Sequence, residues 1–489
     1  MDKPAEMFDR DREWAALTRF VTDAQPGATL GVVSGRRRQG KSFLLQALCE
    51  QSGGFYFCAQ EGTDAESLAF LGEALARYLG SPAPLRFDDW RAAIDALLAL
   101  GRERPVAVVL DEFPYLANAN HALPSVIQAA YGPLRPERRD SRARLLLCGS
   151  AMSFMGRILA GDAPLRGRAG LDMVVRPLDH QAAAEFWDLD DPRLALQVGA
   201  IVGGTPAYRR EFVRNDAPAG PEDFDAWVVR AVLDPSSPLF REARYLLADE
   251  AEINDTGLYH SVLAAVATGN NTRSGIAGYI GRKSTDITHP LTVLEDIGLL
   301  TRDVDAFRAN RSRYRIAEPL ITFYHAIMRP VWPELERSRD LFRIWQRARK
   351  RYASNVLGPH FERICRDWTW HMAPPDLFDD HPNRVASGTV ADPRNKASHE
   401  LDVAVFGLAD DDSSPLIAIG EAKSNDVIGV GHLDRLRHIR DLLTQQERPG
   451  ARTAKLLLYS GAGFTDQLRQ VARQDDNVVL VGLGQIYGR

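Results

Sequence analysis

The chain has 489 residues, of which 45% are hydrophobic and 26% charged, and its formal net charge is −5 at pH 7. That length is too great for one hydrophobic core and predicts about three domains, while the acidic balance excludes a protein that coats nucleic acid over its whole surface. No apolar run reaches 18 residues and the opening MDKPAEMFDRDREW is charged throughout, which predicts neither a membrane span nor a secretory signal.

Up to about residue 175, short β runs alternate with helical stretches. TLGVVSG, GGFYFCAQ, VAVVLDEF and RLLLCGS are the strands, with helices near 64–79, 88–100 and 121–132. Such alternation predicts a parallel sheet covered on both faces, an α/β fold. Directly after the first strand come Gly35, Arg36, Arg37, Arg38, Gln39, Gly40, Lys41 and Ser42, a complete GxxxxGK[ST] phosphate loop, followed by Phe43 and a helical run. The glycines let successive backbone N–H groups point at phosphate oxygens, and the helix adds its positive end. Lys41 is expected to reach the β- and γ-phosphates of ATP, and Ser42 to hold Mg²⁺.

The strand at Val106–Leu110 ends in Asp111 and Glu112. Asp111 is expected at the Mg²⁺ shell and Glu112 as the group that orients or deprotonates the attacking water. Ser150, after the strand Arg144–Cys148, stands where a polar side chain senses the γ-phosphate or caps the next helix. Arg166 and Arg168 are arginine-finger candidates, one of which would act across to a second subunit. Cys49, Cys58, Cys148 and Cys365 form no CxxC pair and read as reduced core residues of a cytoplasmic protein.

Residues 178–255 have no strand pattern and read as a helical lid broken at Gly203–Pro206. Residues 256–330 predict three helices and a two-stranded wing, the order of a winged helix-turn-helix. Its third helix, Thr285–Asp296, carries Asp286, Glu295 and Asp296, poor chemistry for phosphates, with Pro290 in its first turns. Arg308, Arg311, Arg313 and Arg315 in the wing suit phosphates better; the alternative is a lid or protein-contact domain. From Asn271 to Ile316 there are eight Arg/Lys against five Asp/Glu, and from Glu334 to Trp368 nine against five, weak support for DNA contact.

After a basic helical connector at 335–353 comes a last α/β module. Alternation along Glu400–Phe406 and Pro415–Lys423 predicts that Asp402, Glu421 and Lys423 share one face of adjacent strands. Carboxylates so placed hold one or two Mg²⁺ ions that activate water, with the lysine offsetting negative charge. The polar stretch Ala391–Ser398 is expected to be a substrate loop or a disordered one.

Two resemblances sharpen these readings. The opening with Phe8, Asp9, Arg10, Arg12 and Glu13, the GRRRQGKS loop, LDEFPYL, LLCGS, PLRGR and GGTPAY together resemble the prokaryotic AAA+/STAND-like ATPases often called the archaeal ATPase family, over roughly residues 5–330. The resemblance implies ATP binding with the first segment near the adenine, Arg168 as the finger, and Gly203–Tyr208 in the lid. Phe361, Glu362 and Arg363 on a helix, followed by Asp402 and the Glu421–Lys423 ExK, resemble the PD-(D/E)xK restriction-endonuclease-like fold over about 130 residues. That likeness implies phosphodiester cleavage by Glu362, Asp402, Glu421 and Lys423, although such domains also persist as DNA-binding or scaffold modules. The expected division is 1–176, a P-loop ATPase domain; 177–255, a helical lid; 256–330, a winged helix; and 331–489, connector and nuclease-like domain. The expected partners are ATP, Mg²⁺, DNA, a protein partner and, for a finger in trans, a second copy of the chain; no membrane is expected. The rival expectation is a STAND-like regulatory ATPase whose last domain only binds DNA or a protein.

Overall fold

Runs of branched aliphatic residues build the first sheet. The computed structural model describes residues 1–248, 256–378, 380–408 and 414–489, and the chain divides into two compact units, Met1–Pro177 and Leu178–Arg489. In the first unit β1 (Thr29–Ser34), β2 (Phe55–Cys58), β3 (Val106–Asp111), β4 (Ala143–Gly149) and β5 (Ala169–Val174) are all parallel, in the order β2-β3-β4-β1-β5. Every residue of β3 and β4 is buried. Their alternate side chains feed two cores: Leu145 and Leu147 pack with helices Asp64–Leu79 and Trp90–Ala99, while Leu146 and Cys148 pack with Leu17, Leu44 and Leu48. This is the parallel sheet covered on both faces that the alternation predicts. β5 is an edge strand that the sequence pattern does not announce, because Gly170 and Asp172 interrupt its apolar residues and most of it stays partly exposed. Cys58 ends the other edge strand and is exposed, so only three of the four cysteines are core residues.

In the second unit, helices His180–Phe186 and Pro192–Val202 and short helical turns lead to helix Pro238–Ala248. Gly203–Tyr208 is a packing junction: Thr205 donates to Glu318 at 3.4 Å, and the Gly204 carbonyl accepts from Leu178 at 2.9 Å. Three helices, Thr256–Ala267, Arg273–Ile280 and Thr288–Asp296, then precede the antiparallel pair β6 (Leu300–Val304) and β7 (Ser312–Ile316), in the order expected of a winged helix. Pro290 falls in the first turn of the third helix, where its missing N–H has no intrahelical partner to lose.

The second large sheet runs β12-β11-β10-β9-β8, from β8 (Pro382–Asp392), β9 (Ala397–Gly407), β10 (Leu416–Lys423), β11 (Lys455–Ser460) and β12 (Val478–Gly482). β8, β9 and β10 pair antiparallel, and β10, β11 and β12 parallel. Helices Gly358–His371 and Val430–Gln445 pack against it. The stretch Ala391–Ser398 is not a long loop but the tip of the β8–β9 hairpin, in which Asp392 pairs with Ala397. The Asp392 carboxylate closes the turn by accepting from the Asn395 backbone N–H at 3.1 Å and its Nδ2 at 2.8 Å. Among the described residues no helix is long and apolar enough to cross a membrane.

Two glycines report the packing with opposite sign. A Cβ at Gly204 would lie 1.9 Å from the Leu178 carbonyl oxygen, backbone against backbone, whereas one at Gly278, inside helix Arg273–Ile280, meets nothing within 4 Å. Gly204→Ala is expected to lower the melting temperature by about 5 °C or more, and Gly278→Ala to raise it by roughly 1–3 °C, both read by thermal scanning of the full chain.

Candidate functional site

Because the first sheet is parallel, the C-terminal ends of β1, β3 and β4 share one edge, and the phosphate loop leaves from it. Gly35 has φ 150°, and a side chain there would sit 2.5 Å from the Val175 carbonyl oxygen. Arg38 (φ 67°) and Gly40 (φ 84°) turn the chain into helix Lys41–Ser52, and nothing lies within 4 Å of the side-chain direction at Gly40. Arg36, Arg37 and Arg38 are half-buried, Gln39 is buried, Ser42 and Phe43 are exposed. Arg10 donates to the Gln39 carbonyl at 3.3 Å while Met7 and Trp14 are buried, so the opening segment is pinned to the loop.

Lys41 is buried, and its Nζ donates to the loop's own Arg36 carbonyl at 2.9 Å. Burial lowers its pKa, against the opposing pull of Cys148, Glu112 and Asp111. Asp111 is 1% exposed; one carboxylate oxygen accepts from the Tyr56 hydroxyl at 2.7 Å and the other from the Glu112 N–H at 2.9 Å. Glu112 itself holds a left-handed backbone, φ 51°, a conformation that a non-glycine residue adopts at a cost of order 1 kcal/mol or more. Ser150 donates to Glu112 Oε2 at 3.3 Å, and the following helix starts at Met152 with no side-chain cap, so Ser150 is not its N-cap. A loop turned by glycines, with a buried lysine, two carboxylates and a hydroxyl at the same end of the sheet, fits a nucleoside triphosphate with Mg²⁺.

Arg168 lies elsewhere. It precedes β5, whose Ala169 is in register with Leu30 near the start of β1, and it donates to the Tyr131 carbonyl at 3.4 Å. β1 must run on to Ser34 before the loop begins, so Arg168 stands at the opposite sheet edge from Lys41. Within one chain it is out of reach of that loop. Arg166, also exposed, donates to the Gly161 carbonyl.

The second unit assembles the other candidate group. Gly420 pairs with Val403, which brings Glu421 and Asp402 next to each other on β10 and β9, and Ala422 N–H donates to Asp402 Oδ2 at 2.9 Å. Lys423 Nζ lies 3.0 Å from Glu421 Oε1 and 3.9 Å from Asp402 Oδ2. Glu362, from helix Gly358–His371, completes the set: its carboxyl is pushed up to about 7 by burial and by Asp402. Burial also raises Asp402; it would lower Lys423, but Asp402, Glu421 and Glu362 outweigh it and raise that amine. Two arginines that the sequence pattern does not single out finish the shell. Arg435 pairs with Glu421 Oε2 and donates to the Glu400 carbonyl at 2.9 Å, and Arg366 donates to the Asp402 carbonyl at 3.0 Å. Oxygen donors held in a buried, mutually repelling group fit a hard divalent cation such as Mg²⁺.

Glu362 and Asp402 face a cavity of about 360 Å³ that Arg313, Arg315, Arg363 and Arg366 also line. One wall is the wing. Ala306 N–H donates to the Ser387 carbonyl at 2.8 Å, Phe307 packs on Phe406, and Arg313 pairs with Glu400 at 2.7 Å. Arg315 pairs with Asp303 at 3.2 Å. Two of the four wing arginines are therefore committed to protein partners.

No protein-family model matches the chain. An uncharacterised protein of Methanocaldococcus jannaschii, MJECL04, is 24% identical over 367 residues, 74% of this chain and 76% of that protein. Similar solved structures include the Walker-type ATPase PABY2304 of Pyrococcus abyssi (TM-score 0.49, 22% identity, 66% of this chain and 97% of that one). Another is the ORC2 protein of Aeropyrum pernix in ADPNP–ADP complexes (TM-score 0.40, 14% identity, 71% and 97%).

The Glu362 carboxyl gives a pH signature. Its folded pKa of about 7 lies above the ordinary 4.5, so the folded chain binds that proton more tightly, and its contribution to stability is lost as pH rises toward 7. In chelator-treated buffer, Glu362→Gln and wild type are expected to melt alike near about pH 5, with the variant several degrees more stable near about pH 8. Equal differences at both pH values would show that Glu362 is not held protonated.

Proposed function

We propose that this chain is a nucleotide-driven switch in the cytoplasm: its first unit binds and hydrolyses ATP, and the nucleotide state controls an Mg²⁺-dependent, nuclease-like centre acting on DNA, a pairing that suits defence or repair. The functional division we assign is 1–176 ATPase, 177–255 lid, 256–330 winged helix and 331–489 connector and nuclease-like domain. What carries the reading is the coming together of Glu362, Asp402, Glu421 and Lys423 in a chain that also has a complete phosphate loop.

In the ATPase centre the loop amides and Lys41 bind the phosphates, Ser42 and Asp111 would hold Mg²⁺, and Glu112 accepts a proton from the attacking water. Tyr56 fixes the rotamer of Asp111, and Ser150 that of Glu112. Arg168, being at the far sheet edge, would act only on a neighbouring subunit's nucleotide. In the second centre Glu362, Asp402 and Glu421 would hold Mg²⁺, which when bound lowers the pKa of water and polarises the phosphodiester. Lys423 places positive charge beside the developing phosphorane, and Arg363 and Arg366 in the cavity offer phosphate contacts. The wing forms one wall of that cavity, so a shift of the winged helix would change access to Glu362 and Asp402. A second reading, a regulatory ATPase whose last domain only binds DNA or a protein, draws support from one observation: both Glu421 oxygens are held by Lys423 and Arg435.

Plasmid incubated with Mg²⁺, ATP and wild-type protein is expected to be cut, and Lys423→Ala and Asp402→Asn to cut at background; equal cutting by all three favours the second reading. Lys41→Ala is expected to abolish ATP turnover, and Glu112→Gln to lower it by roughly 10² or more while leaving binding intact. Arg168→Ala alone is expected to lose turnover by on the order of 10³, and mixing it with Lys41→Ala to restore part of it, because each supplies what the other lacks. No recovery on mixing, or full turnover by a monomeric Arg168→Ala, would remove the finger assignment.

A further inference from the structure

The β8–β9 hairpin tip and helix Val430–Gln445 bring three side chains together that the ATPase and nuclease readings leave unused. Asp392 ends β8, His399 lies near the start of β9, and His438 comes from the helix. One ligand atom from each lies within 4.8 Å of the others. His438 Nε2 is 3.1 Å and His399 Nε2 3.5 Å from the same oxygen, Asp392 Oδ2.

These separations are more informative than a hydrogen-bond reading allows. An N–H···O bond prefers about 2.7–3.2 Å, so the His399 approach is long for one. Two ligands bound at about 2.0–2.1 Å to one tetrahedral ion stand roughly 3.4 Å apart, which is the spacing seen here. Asp392 is 1% exposed, and its position is fixed by the Asn395 Nδ2 and backbone N–H bonds, the kind of outer-shell support that orients a metal-binding carboxylate. The imidazoles are 23% and 45% exposed, which leaves a solvent path and a free coordination position. Two imidazoles with one carboxylate suit Zn²⁺ and its borderline neighbours rather than Mg²⁺ or Ca²⁺.

We propose that Asp392, His399 and His438 bind one Zn²⁺-class ion, with water at the fourth position, in a site separate from the Glu362–Asp402–Glu421 group. The ion staples helix Val430–Gln445 to β9. Its effect reaches the neighbouring centre through geometry: Arg435, one turn before His438 on that helix, is the residue that holds Glu421 and the Glu400 carbonyl.

The test is zinc titration of the chelator-stripped full chain against a chromophoric competitor, with Co²⁺ as a spectroscopic probe. Wild type is expected to take up one tightly held Zn²⁺ and, with Co²⁺, to show the intense visible absorption of a tetrahedral site. His399→Ala and His438→Ala should each weaken Zn²⁺ binding by at least about tenfold, the double variant should abolish it, and Asp402→Asn should leave it unchanged. Added Zn²⁺ should raise the melting temperature of wild type but not of the double variant. Zinc uptake equal in wild type and the double variant, or loss of uptake in Asp402→Asn, would overturn the assignment. His438→Gln, at an exposed position, repeats the test should an alanine variant fold poorly.

Discussion

Carboxylates gathered in a buried place repel one another and must be neutralised by groups that other elements supply, and this constraint organises both centres. In the first unit Asp111 is nearly inaccessible and stays in place because Tyr56 and the Glu112 amide donate to its two oxygens. In the second, Asp402, Glu421 and Glu362 sit in mutual reach, and Lys423, Arg435 and Arg366 arrive from β10 and from two different helices to balance them. A buried charge stripped of its partner costs several kcal/mol, far more than the net worth of the pair. The helices that carry these arginines are thereby fixed in rotation as well as position.

What the sequence makes legible is whatever obeys a short period or a contiguous spacing. The phosphate loop is eight consecutive residues, and the strand before Asp111 is a plain apolar run. Asp402, Glu421 and Lys423 follow from period-two alternation on two neighbouring strands. Tyr56 escapes because its partner Asp111 is 55 residues away and the FYFC run reads only as core. Arg435 escapes because it looks like any other cation on a polar helix face until the fold turns it onto Glu421. Asp392, His399 and His438 have no motif spacing, since a hairpin turn and a helix separated by the sheet's own connection bring them together. β5 is hidden by its edge position, where a glycine and an aspartate are tolerated.

The β6–β7 pair shows how much an element order leaves open about role. Arginines in a wing suggest phosphates, but the chain at its tip reads Ala306 and Phe307, and both pack into the core of the second large sheet. An apolar tip is chemistry for docking on protein. Arg313 accordingly spends its charge on Glu400, on the strand that also carries Asp402. The β6–β7 pair is thus a neighbour of the carboxylate group.

Under the proposed function, charge balance around Glu421 would set how the carboxylate group meets a divalent ion. Lys423, Arg435 and Arg366 bring three cations to the carboxyl groups of Asp402, Glu421 and Glu362, and a protonated Glu362 tips this balance toward an excess of positive charge. Ionising Glu362 removes that excess, and its pKa of about 7 places the change near neutrality. Freeing one Glu421 oxygen from Arg435 has the same effect on ligand supply without any change of pH. Arg435 is 37% exposed and sits on the helix whose His438 lies 3.1 Å from Asp392 in the hairpin. Under the proposed function, these acidic and basic groups would form a closed ion-pair network without a metal and an open site with one, and the helix that presents Arg435 would select between the two.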